Sequence, residues 1–167
     1  MRFKATLFDL DGTLLDTLED IVLSVDKALL KHDFPTHSLD DYRSFISDGI
    51  TMLITRSLPT DKRDENTISE CVKEFTKTYG LNWNKMTRPY EGVKETLDEL
   101  ATRRLKLGII SNKTHDFTIK CVNAFFPGIK FDFVSGLQKG IPPKPDPTGA
   151  KSFAEKMGIP PEQILFV

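Results

Sequence analysis

The chain has 167 residues, 39% of them hydrophobic and 28% charged, with 23 basic side chains against 24 acidic ones. That length supports one globular body with room for a small second one. A formal charge of -1 supplies no long-range positive field, so composition argues against generic binding to nucleic acid or to an acidic membrane, and any anion site must be local.

Cys71 and Cys121 are too few for a disulfide scaffold or a cysteine zinc cluster, and they read as buried thiols in a reducing compartment. Asp9 and Asp11 interrupt what would be the apolar stretch of a signal peptide. No apolar run approaches the ~20 residues of a membrane span. The sequence reads as a soluble, cytoplasmic protein.

Phe3 to Phe8 is a short apolar strand of the buried parallel kind, running into a turn at Asp9 to Thr13. From Thr17 the period becomes helical: Leu18, Ile21, Val22, Val25, Ala28 and Leu29 share a face, with Glu19, Asp20, Asp26 and Lys27 elsewhere. Asp16 and Thr17 read as its N-cap in preference to a hinge. A helical stretch around Leu39 to Leu58 is broken at Gly49, and another carries Ile68, Val72, Phe75 and Tyr79 toward a stop at Gly80. Arg88 to Gly92 is punctuation before a helix with Val93, Leu97, Leu100 and Ala101 on one side. A strand from Leu105 to Ile110 then ends at Ser111-Asn112-Lys113. Next come a helix through Phe125, a strand from Phe131 to Val134, a Pro- and Gly-rich loop, a helix from about Thr148 to Met157, and a strand from Ile164 to Val167. Alternating strands and helices indicate an α/β fold on a parallel sheet. Residues 17–86, helical throughout, interrupt the alternation as an inserted α-helical cap domain, so 1–16 and 87–167 make up the core.

Ligands of open parallel sheets gather beyond the carboxyl ends of the strands. There the sequence puts Asp9, Asp11, Gly12 and Thr13 after the first strand, Ser111, Asn112 and Lys113 after the second, and Lys144-Pro145-Asp146-Pro147 in the loop after the third. Carboxylates at i and i+2 repel unless a cation sits with them, and Mg²⁺ is the economical cation. One aspartate can then attack phosphorus while the other protonates the departing oxygen and later activates water. Gly12 permits a tight turn and close approach to phosphate. Ser111 and Asn112 can hydrogen-bond phosphoryl oxygens, and Lys144 can balance their charge. Lys113 reads either as a substrate contact or as a surface lysine. Gly49 and Arg56 are candidate specificity positions in the cap, because the core supplies only phosphate chemistry. His32, His37 and His115 show no metal-ligand spacing.

DLDGTLLDT, SNK and KPDP, in that order, resemble the first three signatures of the haloacid dehalogenase-like hydrolases. The helical insertion resembles the cap of the subfamily that includes phosphoglycolate phosphatases and β-phosphoglucomutases. The resemblance implies a Rossmann-like core and a Mg²⁺-dependent phosphatase of a small phosphorylated metabolite such as phosphoglycolate, acting as a monomer or homodimer. It makes Asp9 the nucleophile and a metal ligand, and Asp11 the general acid and base with its carbonyl on the metal. Gly12, Thr13, Ser111 and Asn112 hold the phosphoryl group, and Lys144 bridges nucleophile and phosphate. Asp11 favours phosphoryl chemistry, since members that attack carbon lack that acid. The family's fourth signature, acids following a strand like Ile164 to Val167, is absent from this sequence. On that comparison the chain reads as C-terminally truncated. A phosphomutase and an inactive binding fragment are the alternative readings.

Overall fold

A computed structural model describes residues 3–167. The chain divides into two compact units, one made of the residues up to Asp16 together with Arg88–Val167, the other of Thr17–Thr87. The strands are β1 (Ala5–Phe8), β2 (Leu15–Asp16), β3 (Arg88–Pro89), β4 (Lys106–Thr114), β5 (Phe133–Leu137) and β6 (Ile164–Phe166). Four of them form a parallel sheet in the order β5-β4-β1-β6. Arg88–Pro89, expected as punctuation only, pairs antiparallel with Leu15–Asp16 as the separate ladder of β2 and β3.

Every residue of β1 is buried, as an apolar run in the middle of a parallel sheet must be. Ala5, Leu7, Ile110 and Phe153 form one cluster of its core, with Phe133, Met157 and Ile164 against them. Phe153 comes from α7 (Thr148–Met157), and a Cβ at Gly108 of β4 would lie 2.7 Å from its ring. The glycine therefore lets the ring press on the sheet. Leu97 of α5 (Val93–Thr102) and Cys121 of α6 (His115–Phe125) are also wholly buried in this unit.

The strand ends differ from the sequence expectation, and the differences bear on the site. β4 does not stop at Ile110 but continues through Ser111, Asn112 and Lys113 to Thr114. Ile110 stands opposite Ser135 and Thr114 opposite Leu137, so three residues of β4 share the space of one in β5 and the strand bulges there. Gly136 is that one residue. A Cβ on it would fall 2.4 Å from Thr118 Oγ1 and 2.6 Å from the Lys113 carbonyl oxygen. β5 begins at Phe133 rather than Phe131, because Asp132 is tied crosswise to β4: its N–H donates to Leu107 O at 2.8 Å, and its carboxylate accepts from Leu107 N and Lys106 Nζ.

The second unit contains α1 (Leu18–Leu30), α2 (Leu39–Phe45), α3 (Ile50–Ser57) and α4 (Glu65–Asn82). Gly80 does not stop α4. Burial of Tyr79 and Asn82 carries the helix past it, and Asn82 Nδ2 donates to Thr78 O at 2.8 Å. This outweighs the roughly 1 kcal/mol that a helical glycine costs against alanine. Thr17 occupies the N-cap position of α1 without a side-chain capping bond, while Asp16 pairs with Arg88 at 3.2 Å. Asp20, off the apolar face by period, is completely buried and accepts from Met86 N, Thr87 N and Thr87 Oγ1. Cys71 and Cys121 are buried free thiols. Among the described residues no helix is long and apolar enough to cross a membrane.

Two stability effects follow from the strand ends. Gly136→Ala should destabilise the protein by about 1–3 kcal/mol, since the backbone of Lys113 and His115, besides the Thr118 hydroxyl, blocks the new methyl; equilibrium urea unfolding measures it. Burial opposes ionisation of Asp132, but its bonds from Lys106 and Leu107 N outweigh burial and hold the carboxyl below its usual 3.8. A depressed folded-state pKa stabilises above the unfolded value and is lost as pH falls through the folded one. Wild type should therefore exceed Asp132→Asn by about 1 kcal/mol at pH 7, with the two unfolding curves converging as the pH is taken below 3.8.

Candidate active site

Immediately after β1 the chain closes on itself. The carbonyl of the fully buried Leu10 accepts the N–H groups of Leu14 and Leu15 at 3.0 Å and of Thr13 at 3.4 Å, and Gly12 N donates to Leu15 O at 2.8 Å. Gly12 has φ +78° with open space where a Cβ would stand, so conformation and not crowding calls for glycine. The closed loop sets Asp9 and Asp11 in fixed positions at the carboxyl end of the central strand. Thr13 enters through its backbone alone.

Each acid meets a lysine delivered from elsewhere. Asp9 Oδ1 accepts from Leu10 N at 2.7 Å and lies 2.7 Å from Lys144 Nζ. Asp11 Oδ1 lies 2.9 Å from Lys113 Nζ, whose side chain is only 8% exposed. That approach makes an ion pair but lacks hydrogen-bond alignment, so Asp11 Oδ1 is buried with no hydrogen-bond donor of its own. Lys113 is thus no simple surface lysine. Its position follows from the bulge in β4, which no local sequence pattern announces.

The bulge also orients its other residues. Ser111 is buried, and its Oγ accepts from Lys113 N at 3.1 Å, leaving the hydroxyl proton to donate elsewhere. Asn112 is 9% exposed, and its carboxamide is turned on the main chain of Lys144: Oδ1 accepts from Lys144 N at 2.8 Å and Nδ2 donates to Lys144 O at 3.1 Å. The sequence reading aimed that carboxamide at a phosphoryl group. Asp146 serves α7 instead of the site, accepting from Thr148 Oγ1 and N, which together lower its pKa from 3.8.

Gly49 and Arg56 belong to the second unit. Gly49 precedes α3 with φ +83°. The Arg56 guanidinium donates to Phe45 O at 3.0 Å and Ser47 Oγ at 3.2 Å and pairs with Asp48. It therefore pins the 45–49 loop. His37 Nε2 lies 2.7 Å from Ser57 O, and His115 Nδ1 accepts from Gly136 N at 3.2 Å, so both act as structural polar groups.

The oxygens available to a cation can be named. Among the described residues, Asp9 Oδ2 and the Asp11 carbonyl accept no hydrogen bond, and Asp11 N likewise has no acceptor. Both oxygens are hard donors on one short loop. Mg²⁺ usually takes one or two carboxylates and keeps several waters, and this donor set fits it. No three His, Cys, Asp or Glu side chains converge among the described residues.

Comparison with known proteins bears on this geometry. The family model described as haloacid dehalogenase-like hydrolase matches residues 6–167. The phosphoglycolate phosphatase of Haemophilus influenzae strain Rd is 32% identical over 172 residues, covering 99% of this chain and 77% of that protein. That of Aquifex aeolicus is 31% identical over 164 residues, covering 98% and 75%. A crystal structure described as a predicted phosphoglycolate phosphatase from Haemophilus somnus superposes with TM-score 0.90 at 31% identity, covering 99% of this chain and 76% of that one. A haloacid dehalogenase-like hydrolase from Streptococcus pneumoniae shares the fold with TM-score 0.86 at 20% identity, covering 99% and 75%. The chain spans about three quarters of the length of these relatives.

Proposed function

The chain belongs to the haloacid dehalogenase-like hydrolase family, and on that premise we propose that it hydrolyses a small phosphate monoester through an aspartyl phosphate, with phosphoglycolate as the leading substrate. One observation carries the reading. Two carboxylates at i and i+2, after the central strand, meet one lysine from the end of β4 and one from the loop after β5 within 2.9 Å.

The chemistry follows from which atoms are engaged. Asp9 Oδ1 is held by Leu10 N and Lys144, so Oδ2 is the oxygen left to attack phosphorus. As the new P–O bond forms, the bond to the leaving alcohol breaks and Asp11 gives that oxygen a proton. Asp11 then takes a proton from water as the water attacks the acyl phosphate, releasing inorganic phosphate and restoring Asp9. The Ser111 hydroxyl and Asp11 N donate to phosphoryl oxygens, while the Lys144 ammonium offsets charge gathering beside Asp9. Mg²⁺, when bound, would be held by the Asp9 carboxylate and the Asp11 carbonyl and would supply further charge neutralisation. Gly12 sets the turn that brings these donors together, with Thr13 beside it. Lys113 holds the Asp11 carboxylate in place.

The helical unit takes the part of a cap, and choice among substrates falls to it. Arg56 acts there by shaping the 45–49 loop, with Gly49 at its end. The relatives named phosphoglycolate phosphatase support phosphoglycolate, and a soluble metabolite of that kind is in keeping with a cytoplasmic enzyme.

Phosphate release from phosphoglycolate and a panel of sugar phosphates tests the proposal. Turnover with phosphoglycolate should require Mg²⁺, cease in chelator and fall by at least about 10³-fold in Asp9→Asn, whose amide cannot form the acyl phosphate. Persistent turnover in chelator or in Asp9→Asn removes the mechanism. Conversion of a sugar phosphate to its isomer without net phosphate release selects the phosphomutase instead.

A further inference from the structure

We propose that Asn112 is a positioning residue that anchors the backbone of Lys144, and so sets where its ammonium group stands, instead of binding the phosphoryl group itself. The inference rests on the reading of Lys144 and Asp9 as parts of the reaction centre.

The loop after β5 is poorly equipped to hold itself. In the run Pro142-Pro143-Lys144-Pro145 the prolines have no N–H, so Lys144 N is the one main-chain donor in four residues. That donor goes to Asn112 Oδ1 at 2.8 Å, and the carbonyl of the same residue accepts from Asn112 Nδ2 at 3.1 Å. A backbone N–H only donates and a carbonyl only accepts, which fixes the orientation of the carboxamide. Both bonds close on one residue across 32 positions of sequence. Asn112 is itself 9% exposed and anchored in a strand of the central sheet.

The far end of Lys144 gives the clamp its purpose. A lysine side chain is a flexible four-carbon stem, and its ammonium reaches Asp9 Oδ1 at 2.7 Å while the side chain remains 22% exposed. With the backbone fixed by the Asn112 pair, the stem starts from one place. Released, the proline-rich loop shifts the origin of the stem and the ammonium with it. The carboxamide engages the main chain of Lys144 through both its oxygen and its nitrogen, so its orientation is set by the lysine's backbone.

The test compares Asn112→Ala, Asn112→Asp, Lys144→Ala and the Asn112→Ala/Lys144→Ala double variant in phosphate release. Amide hydrogen exchange at Lys144 is read by NMR without substrate. Asn112→Ala should lower kcat about tenfold to a hundredfold with KM within about threefold, the scale expected when a catalytic group is misplaced by about 1 Å. The double variant should be no slower than Lys144→Ala, because Asn112 acts through the lysine. Exchange at the Lys144 amide should quicken at least about tenfold in Asn112→Ala and stay slow in Asn112→Asp, which keeps an acceptor but loses the donor. Losses that multiply in the double variant, a rise in KM at constant kcat, or unchanged exchange in Asn112→Ala overturn the proposal. Wild-type turnover in Lys144→Ala sinks the assignment of Lys144 as well; if exchange still responds to Asn112→Ala, the failure lies in that assignment and not in the clamp.

Discussion

Two carboxylates crowded at the end of one buried strand are the constraint around which the first unit is arranged. Asp9 and Asp11 sit two positions apart on a loop closed onto the Leu10 carbonyl, where neither can move far from the other. Like charges held in this way call for compensating positive charge. The protein supplies one ammonium to each, from Lys144 and from Lys113. One lysine comes from the end of β4 and the other from the loop after β5, so the pairing exists only once the sheet has formed.

The sheet order explains why those ends meet. In β5-β4-β1-β6, the chain leaves β1 for β4 on one side, goes outward to β5, and returns to β6 on the other side. β1 is therefore the point where the connection changes direction, the place where open α/β sheets leave a crevice beyond their carboxyl ends. Burial of all four β1 residues makes the floor of that crevice rigid. The bulge at 111–113 adds what a regular strand could not. In regular pairing, successive side chains alternate between faces, whereas here Ser111, Asn112 and Lys113 serve the same end of the sheet, facing Gly136 across the ladder.

Much of this was legible in the sequence where the signal was local. The apolar run of β1, the periodic face of α1 and the acids and glycine of DLDGT each express their structure within a few residues. What escaped was set by distant partners. Asp20 follows the polar phase of α1, yet it is buried because Met86 N, Thr87 N and Thr87 Oγ1 converge on it from the far end of the helical unit. Gly80 signals a stop locally, but tertiary burial of Tyr79 and Asn82 overrides it. The extension of β4 depends on its register with β5, and register is a property of two strands. Lys113 could be marked as near the site, but its pairing with Asp11 needed that bulge. For Asn112, residue type and place after a strand suggested a polar contact at phosphate, while its bond partners are 32 positions away.

The two lysines show different solutions to the same problem of placing a charge on a flexible stem. Lys113 is held by its surroundings: it stands in a bulged strand, its side chain is 8% exposed, and its carbonyl presses on the Cα side of Gly136. Lys144 stands in a loop of prolines with its side chain 22% exposed, where packing contributes less. Prolines narrow the conformations open to such a loop, but they also strip it of donors with which to fasten itself to the sheet. A single carboxamide that engages both main-chain groups of one residue offsets that loss, since it satisfies a donor and an acceptor together. Stiffness from the prolines and attachment through Asn112 are thus complementary: either alone leaves the origin of the Lys144 stem undefined, by bending in one case and by swinging as a rigid arm in the other.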